Sequence, residues 1–425
     1  MYEKATTYDG VAISRSNSLA QNGFSKTGYV FIGWNTEPNG NGTSFSNGQE
    51  IKNLTATDGE TITLYAQWVK DNYNLTVDPN SGVWNGSTEA QSFNVAYNGT
   101  KEISVPTKEG YDFTNWTLTG NGSTMTSLTS NSTFTMGAGD ATLTANWKPI
   151  EYNVVYDGNG ATSGNTNNSS HIYDQNKNLT QNGYKRIYNV TFNYNGNGQA
   201  NTVQEAKATF NGWATSSNGL VSFSDKQNVI NLRNTTGTYN LFANWTLANV
   251  ILPNATRTGF NALGWSTLAN AQNAAYNIGQ AYIPTKDTTL YMVWEPYSLK
   301  ANVKVKDEET GNIISSDSVI DVYEWNKSTM TYNKISSLTK QSDNSYATDD
   351  FLKYTDKNEG KFRLIQTTTP NGYYGDWSDD TKTAKKTYDF NILATIENQT
   401  VNDKGTINIE INQKRQKAKI DADLI

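Results

Sequence analysis

Along much of this chain, polar and apolar residues alternate in short runs that end in turn-forming residues. Residues 152–156 (YNVVY) run into Asp157-Gly158-Asn159-Gly160, a half-buried strand followed by hairpin-type turn residues. In LYAQW (64–68) the period of two puts Leu64, Ala66 and Trp68 on one face and Tyr65 and Gln67 on the other. In GYVFIGW (28–34), Tyr29, Phe31 and Gly33 alternate against Val30, Ile32 and Trp34, so both faces carry bulk. The glycines before the aromatic and beside the tryptophan permit a turn and a close backbone approach. Helical periodicity is scarce; Leu268–Tyr276 is its best candidate. The pattern predicts a mostly β chain.

These runs recur. GYVFIGWNT (28–36) precedes LYAQW (64–68), GYDFTNWTL (110–118) precedes LTANW (143–147), FNGWAT (210–215) precedes LFANW (241–245), and GFNALGWST (259–267) precedes LYMVW (290–294). An upstream half also repeats, as YNLTVDPNSG (73–82), YNVVYDGNGA (152–161) and YNVTFNYNGNG (188–198). Hydrophobic residues are only 36% of the chain but aromatics reach 12%, so each small core must rest on a few large rings. Trp34, Trp68, Trp116, Trp147, Trp213, Trp245, Trp265 and Trp294 are therefore read as structural, each pair closing a core between an early and a late strand. Trp84 (SGVWNGS) lies outside the motif in a turn-like context and is the candidate exposed aromatic for a sugar.

The opening YNVVYDGNG, the segment PTKEGYDFTNW (106–116) and the LYAQW-type closing strand resemble the Listeria–Bacteroides repeat, the internalin-B-type B-repeat. The resemblance covers roughly residues 1–294. It implies small β-grasp modules of cell-surface proteins, mostly of Gram-positive bacteria. The expected modules are 1–70 (N-terminally incomplete), 71–149, 150–246 with inserted strands, and 247–296, which lacks an opening strand and completes its sheet from its neighbour. Because the chain begins inside a repeat, it is expected to be a segment whose signal and anchor lie elsewhere.

The texture changes after Trp294. Residues 299–425 hold 18 Lys/Arg and 20 Asp/Glu, about half the charge of the chain, which places a boundary near Pro296–Leu299. ANVKVKD, SVIDVYEW, KFRLIQT, TYDFNILATI and TINIEINQ read as strands of a prealbumin- or Ig-like β-sandwich over 297–416, with 417–425 a linker or the start of another module. KVKDEETGN (304–312) and KFRLIQTTTPNGYYG (361–375) are similar to collagen-adhesin B-type (Cna-B, SpaA-like) pilin domains. That family implies a self-made Lys–Asn isopeptide bond promoted by a buried Glu. Here the Lys position is Val305 and the Glu position is Gln366. In the last strand the inward series Ile409, Ile411 runs to Gln413, with Asn412 adjacent. An apolar side chain cannot supply the amine and a neutral amide cannot serve as the acid, so no crosslink is expected.

The remaining chemistry is sparse. There is no cysteine and a single histidine, His171, in a polar stretch read as a solvated loop. Disulfides, thiol catalysis and Cys-type metal sites are thereby excluded, and a Ser-His-Asp triad or a His-rich zinc site is not a natural guess. The net charge of −6, without a basic block, gives no reason to expect nucleic acid, and no apolar run spans a membrane. Asp157–Gly160 and Asn193–Gly198 read as turns before cation loops, and Asp349/Asp350 and Asp379/Asp380 as solvated acids before a glycosidase pair. No catalytic residue, cofactor or metal is expected. The leading reading is a non-catalytic stalk or adhesin on a bacterial cell wall, with a protein or glycan partner on a host or bacterial surface. The alternative is a set of glycan-binding modules attached to a secreted carbohydrate-active enzyme.

Overall fold

A computed structural model describes residues 7–8, 11–12, 17–57, 59–196, 198–374, 386–399 and 404–416. The expected linker 417–425 and the acids Asp379 and Asp380 lie outside the described residues. The chain divides into two compact units, one of 1–159, 165–183 and 211–244, the other of 160–164, 184–210 and 245–425.

The second module shows how the repeat is built. Its sheet has four strands in the order Tyr111–Gly120, Ala141–Pro149, Asn72–Asp78, Gln91–Ala96. The opening strand Asn72–Asp78 runs parallel to the closing strand, Leu75 opposite Ala141, and every other pair is antiparallel. A second small sheet of Thr100–Ile103, Thr124–Met125 and Ser132–Thr135 lies between them in sequence. Together they enclose Leu75, Val77, Ile103, Trp116, Phe134, Met136 and Leu143, all 1% exposed or less. A side chain such as Leu143, fully withdrawn from water, contributes about 1.5–3 kcal/mol.

In the first module the described sheet is Ser44–Phe45, Tyr29–Asn35, Tyr65–Lys70. The third and fourth copies repeat the four-strand order but not the chain order. One sheet is Ser169–Ile172, Glu151–Asp157, Gly237–Thr246, Thr209–Ala214; the other is Thr202–Lys207, Ile187–Asn193, Thr288–Pro296, Phe260–Ser266. The strands expected as an insertion in the third copy are thus the opening half of the fourth, Val190 lying parallel opposite Thr288. This corrects the inserted third module: its extra strands supply the opening strand that the fourth copy takes from its neighbour. Two openings come first and two closings follow, so the sheets cross the boundary expected at 246/247.

The fold is mostly β, as expected. The helix expected over Leu268–Tyr276 does not form. Trp265 donates its N–H to the Tyr276 carbonyl, and the Ala275 and Tyr276 amides donate back to the Trp265 carbonyl, so pairing to the bulged strand overrides the weak helical pattern. Among the described residues the single helix is Ile392–Gln399. The Asn391 side chain accepts hydrogen bonds from the Leu393 and Ala394 amides, capping the helix and ending the strand expected to run through TYDFNILATI.

The C-terminal domain is a sandwich. One sheet centres on Ser298–Asp307, which pairs in parallel with Lys404–Gln413; the other has the order Thr331–Ser337, Val319–Asn326, Lys361–Thr368, Thr387–Asn391. Leu299, Ala301, Val303, Ile320, Val322 and Ile392, all 0% exposed, fill the space between.

Candidate functional site

The two tryptophans of each motif do different jobs. Alternation alone would place Phe113 and Trp116, three residues apart, on opposite faces. The register shifts between Phe113 and Asn115, between Phe31 and Gly33, and between Ala262 and Gly264. One extra residue in the strand brings both rings to the same face. Phe31 is 5.2 Å from Trp34 and 5.6 Å from Trp68; Phe113 is 5.6 Å from Trp116 and 5.8 Å from Trp147. The bulge also explains the glycine before the tryptophan. A Cβ on Gly33, Gly212 or Gly264 would lie 2.7, 2.6 or 2.3 Å from the carbonyl oxygen of Phe45, Phe223 or Tyr276, and their φ angles are +145°, +144° and +137°.

Trp116, Trp213 and Trp265 are completely buried, and Trp34 is half-buried. The second members, Trp68, Trp147, Trp245 and Trp294, are all half-buried. Trp147 Nε1 donates to the Pro79 carbonyl at 3.0 Å and Trp294 Nε1 to the Tyr194 carbonyl at 2.9 Å, so these rings lie across the turn that follows the opening strand. In the second and fourth copies the first ring therefore fills the core, while the second packs against that core and also covers a turn.

A third element, missed in the sequence, completes that turn. Asn80, Asn159 and Asn195 have φ of 49°, 46° and 50°. Their side-chain amides donate to the carbonyls of Ala145, Ala243 and Met292 on the closing strand, and their backbone N–H groups to the side chains of Asp78, Asp157 and Asn193. The segments read in the sequence as turns in preference to cation loops thus use these polar atoms internally. The signal available was the shared spacing Asp/Asn-x-Asn.

Two expectations are corrected. Trp84 is 4% exposed; its Nε1 donates to the Ser104 carbonyl at 3.0 Å and its ring meets Phe93 edge-on at 5.9 Å. It packs in the core of the second module and offers no shelf to a sugar. His171 is 1% exposed on Ser169–Ile172, Nε2 2.9 Å from Ser169 Oγ, stacked on Tyr152 at 5.7 Å. Burial, helped by Lys177, holds its pKa below the usual value. The polar residues around it masked its place on an inward strand position.

In the C-terminal domain Val305 is 1% and Gln366 1% exposed, while Asn412 faces outward and accepts a hydrogen bond from Lys386 through its carbonyl. The inward residue is Gln413, fully buried, as the alternation of the last strand indicated. Gln413 Nε2 donates to Gln366 Oε1 at 2.6 Å, and Gln366 Nε2 to Ser318 Oγ at 2.8 Å. A chain of neutral amides therefore occupies the place where the pilin resemblance implies a crosslink. Nearby, the buried Asp307 accepts from Tyr373 at 2.8 Å, from the Glu309 and Thr310 amides, and from Arg415. Burial alone would raise its pKa, but these donors outweigh it and hold the carboxyl well below the usual carboxylate range. Asp307 thus fastens the outgoing strand to the turn at Tyr373.

Parts of the chain match two families of repeat domain. The Listeria–Bacteroides repeat domain matches residues 4–67 and 243–293, and the divergent InlB B-repeat domain matches 73–151. Two Evansella cellulosilytica proteins are similar: a protein described as a Gly-rich membrane protein, 31% identical over 147 residues, and one described as a membrane protein, 38% identical over 74 residues. The matches cover 33% and 17% of this chain, but only 16% and 10% of those proteins. Among solved structures, the Bacillus anthracis TIE protein aligns over 95% of this chain and 69% of its own, at 10% identity and a TM-score of 0.24. The shaft pilin SpaA of Lactobacillus rhamnosus GG aligns over 56% of this chain and all of its own, at 11% identity and a TM-score of 0.20. The resemblance read in the sequence is thus matched by family models over residues 4–67, 73–151 and 243–293.

Proposed function

We propose that this chain is a non-catalytic segment of a bacterial cell-surface protein, serving as a repeat stalk or adhesin. The observation that carries the reading is how the modules spend their large rings. Three of the four first-position tryptophans are fully buried, Trp147 and Trp294 cover turns, and Trp84 is in the core. Rings used in this way hold small domains together and are not presented to a substrate. Recognition in such an array arises from the row of module faces, and the partner is a protein or glycan on a host or bacterial surface. The glycan-binding alternative loses Trp84, the residue that favoured it.

Protease shaving of intact producing cells tests the location: the array should be released without lysis, and full protection would reject surface display. Beads coated with the purified chain test adhesion. Retention on immobilised host glycoproteins or wall polysaccharide is expected, and no retention on any surface would leave a spacer without adhesive function.

A further inference from the structure

The second, recurring use of glycine in this chain lies at the ends of modules. Lys26-Thr27-Gly28-Tyr29, Lys108-Glu109-Gly110-Tyr111 and Arg257-Thr258-Gly259-Phe260 form the same turn. In each, the fourth residue's N–H donates to the first residue's carbonyl, at 3.0, 3.2 and 3.1 Å. Gly28, Gly110 and Gly259 have φ of +77°, +74° and +78°, and all three are buried. What buries them is a tyrosine from the next domain. A Cβ on these glycines would fall 2.2 to 2.5 Å from ring atoms of Tyr97, Tyr173 and Tyr354 respectively, so each ring lies flat on a bare α-carbon.

The surroundings repeat as closely. The aromatic residue of the turn meets the incoming tyrosine edge-on: Tyr29 with Tyr97 at 5.7 Å, Tyr111 with Tyr173 at 5.8 Å, Phe260 with Tyr354 at 5.6 Å. The cation of the turn sits over that same aromatic ring, Lys26 at 4.1 Å, Lys108 at 4.4 Å, Arg257 at 3.9 Å. Between the closing strand and the next strand there is one residue: Asp71, Ile150 or Tyr297. Its N–H donates to the glycine carbonyl at 2.9, 3.0 or 2.8 Å, and its carbonyl accepts from the N–H of Tyr97, Tyr173 or Tyr354 at 2.8, 3.0 or 2.8 Å.

We infer that the turn Lys/Arg-x-Gly-aromatic is a docking socket, and that its partner is any following β-domain that presents a tyrosine to it across a one-residue connector. The partner's architecture is immaterial. Tyr97 and Tyr173 belong to repeat modules, whereas Tyr354 belongs to the sandwich. The third copy, whose closing strand is followed by strands of the fourth and not by a new domain, lacks the socket: at the same distance before Trp213 the sequence reads Glu205-Ala206-Lys207-Ala208, without glycine. The joint gives successive domains a fixed junction in place of a flexible linker, and it does so wherever the chain is displayed.

Amide exchange of the full-length chain, read by mass spectrometry, tests this. In Tyr173→Ala, the peptide holding Ile150 should exchange about tenfold faster, the scale set by losing one buried edge-on ring contact, while the peptide holding Trp116 stays protected. Tyr173→Phe should behave as the parent, and Gly110→Ala as Tyr173→Ala. Tyr97→Ala and Tyr354→Ala should loosen only the joints at Asp71 and Tyr297. Unchanged exchange at the altered joint would overturn the proposal, as would Phe failing as badly as Ala. If all three Ala variants instead lose protection throughout a core, the tyrosines are ordinary core residues and the socket is rejected.

Discussion

The second module and the pair formed by the third and fourth copies are made from the same parts in a different chain order. In the second module Leu75 meets Ala141 within one uninterrupted stretch. In the later pair Val190 must wait for Thr288, and the closing strand of another sheet, Gly237–Thr246, comes first. Both arrangements reach the same four-strand order with a buried tryptophan. The motif therefore determines how a module is packed, but not which opening half it is packed from. Loop-closure entropy grows only slowly with length, so the longer route costs little stability. It lengthens the sequence separation of the pairing, which slows folding.

The strongest way to break this comparison is to cut the chain. A fragment of residues 71–149 contains a whole sheet and should unfold cooperatively, whereas 247–296 lacks its opening strand and should show no cooperative transition by circular dichroism. Residues 150–296 together should restore one. A folded 247–296 would mean that the fourth copy does not need Ile187–Asn193.

Next in size is the division of labour between tryptophans. Trp116→Ala should cost about 3–5 kcal/mol in denaturant titrations of residues 71–149, the range for an emptied aromatic core site. Trp147→Ala, which removes a half-buried ring and its bond to Pro79, should cost clearly less. Equal losses would restore the two-ring clamp.

The asparagine turn should be common to both chain orders. Asn80→Ala and Asn195→Ala should each cost about 1–2 kcal/mol, from lost hydrogen bonds to the closing strand and a left-handed backbone that alanine resists. A cost in one copy only would show that the turns are not equivalent.

The smallest effect separates the copies by pH. His171 is buried in the third copy with its pKa below the ordinary value near 6.5, so the unfolded chain takes up the proton first. Stability of that sheet should be constant above about pH 6.5 and fall as pH drops through the interval down to the depressed pKa, by at most about 1.4 kcal/mol per unit. The second module, which has no histidine, should not change over that interval. Melting curves at pH 7.5 and 5.5 would show the contrast, and His171→Gln should remove it.

The strands and the repeat were legible because period-two alternation and turn residues are local signals. So was the inward course of Ile409, Ile411 and Gln413, which follows from strand alternation alone. That the fourth copy borrows an opening strand was legible, but not which one: YNVVY and YNVTF are equivalent openings, and nothing local says which closing strand each will meet. The bulge beside Trp116 was hidden for a related reason, since one extra residue reverses the face of everything after it. Trp84 and His171 were misjudged from polar neighbours, because burial of a ring depends on what the small second sheet or the next strand lays over it. The tyrosine joints escaped notice because each joins residues from two domains, with only Gly28, Gly110 and Gly259 as trace.

The parallel pairing of first and last strands has a mechanical consequence. Ser298–Asp307 and Lys404–Gln413 lie side by side over ten matched positions, and Asn72–Asp78 and Ala141–Pro149 are arranged alike. Tension applied through the ends of such a domain pulls two neighbouring strands past each other along their length. The ladder is loaded in shear, so its hydrogen bonds must give way together and not one after another as in an unzipping hairpin. Resistance to being pulled open is thus set by the rate of crossing that one barrier, and can be high in modules whose equilibrium stability is modest.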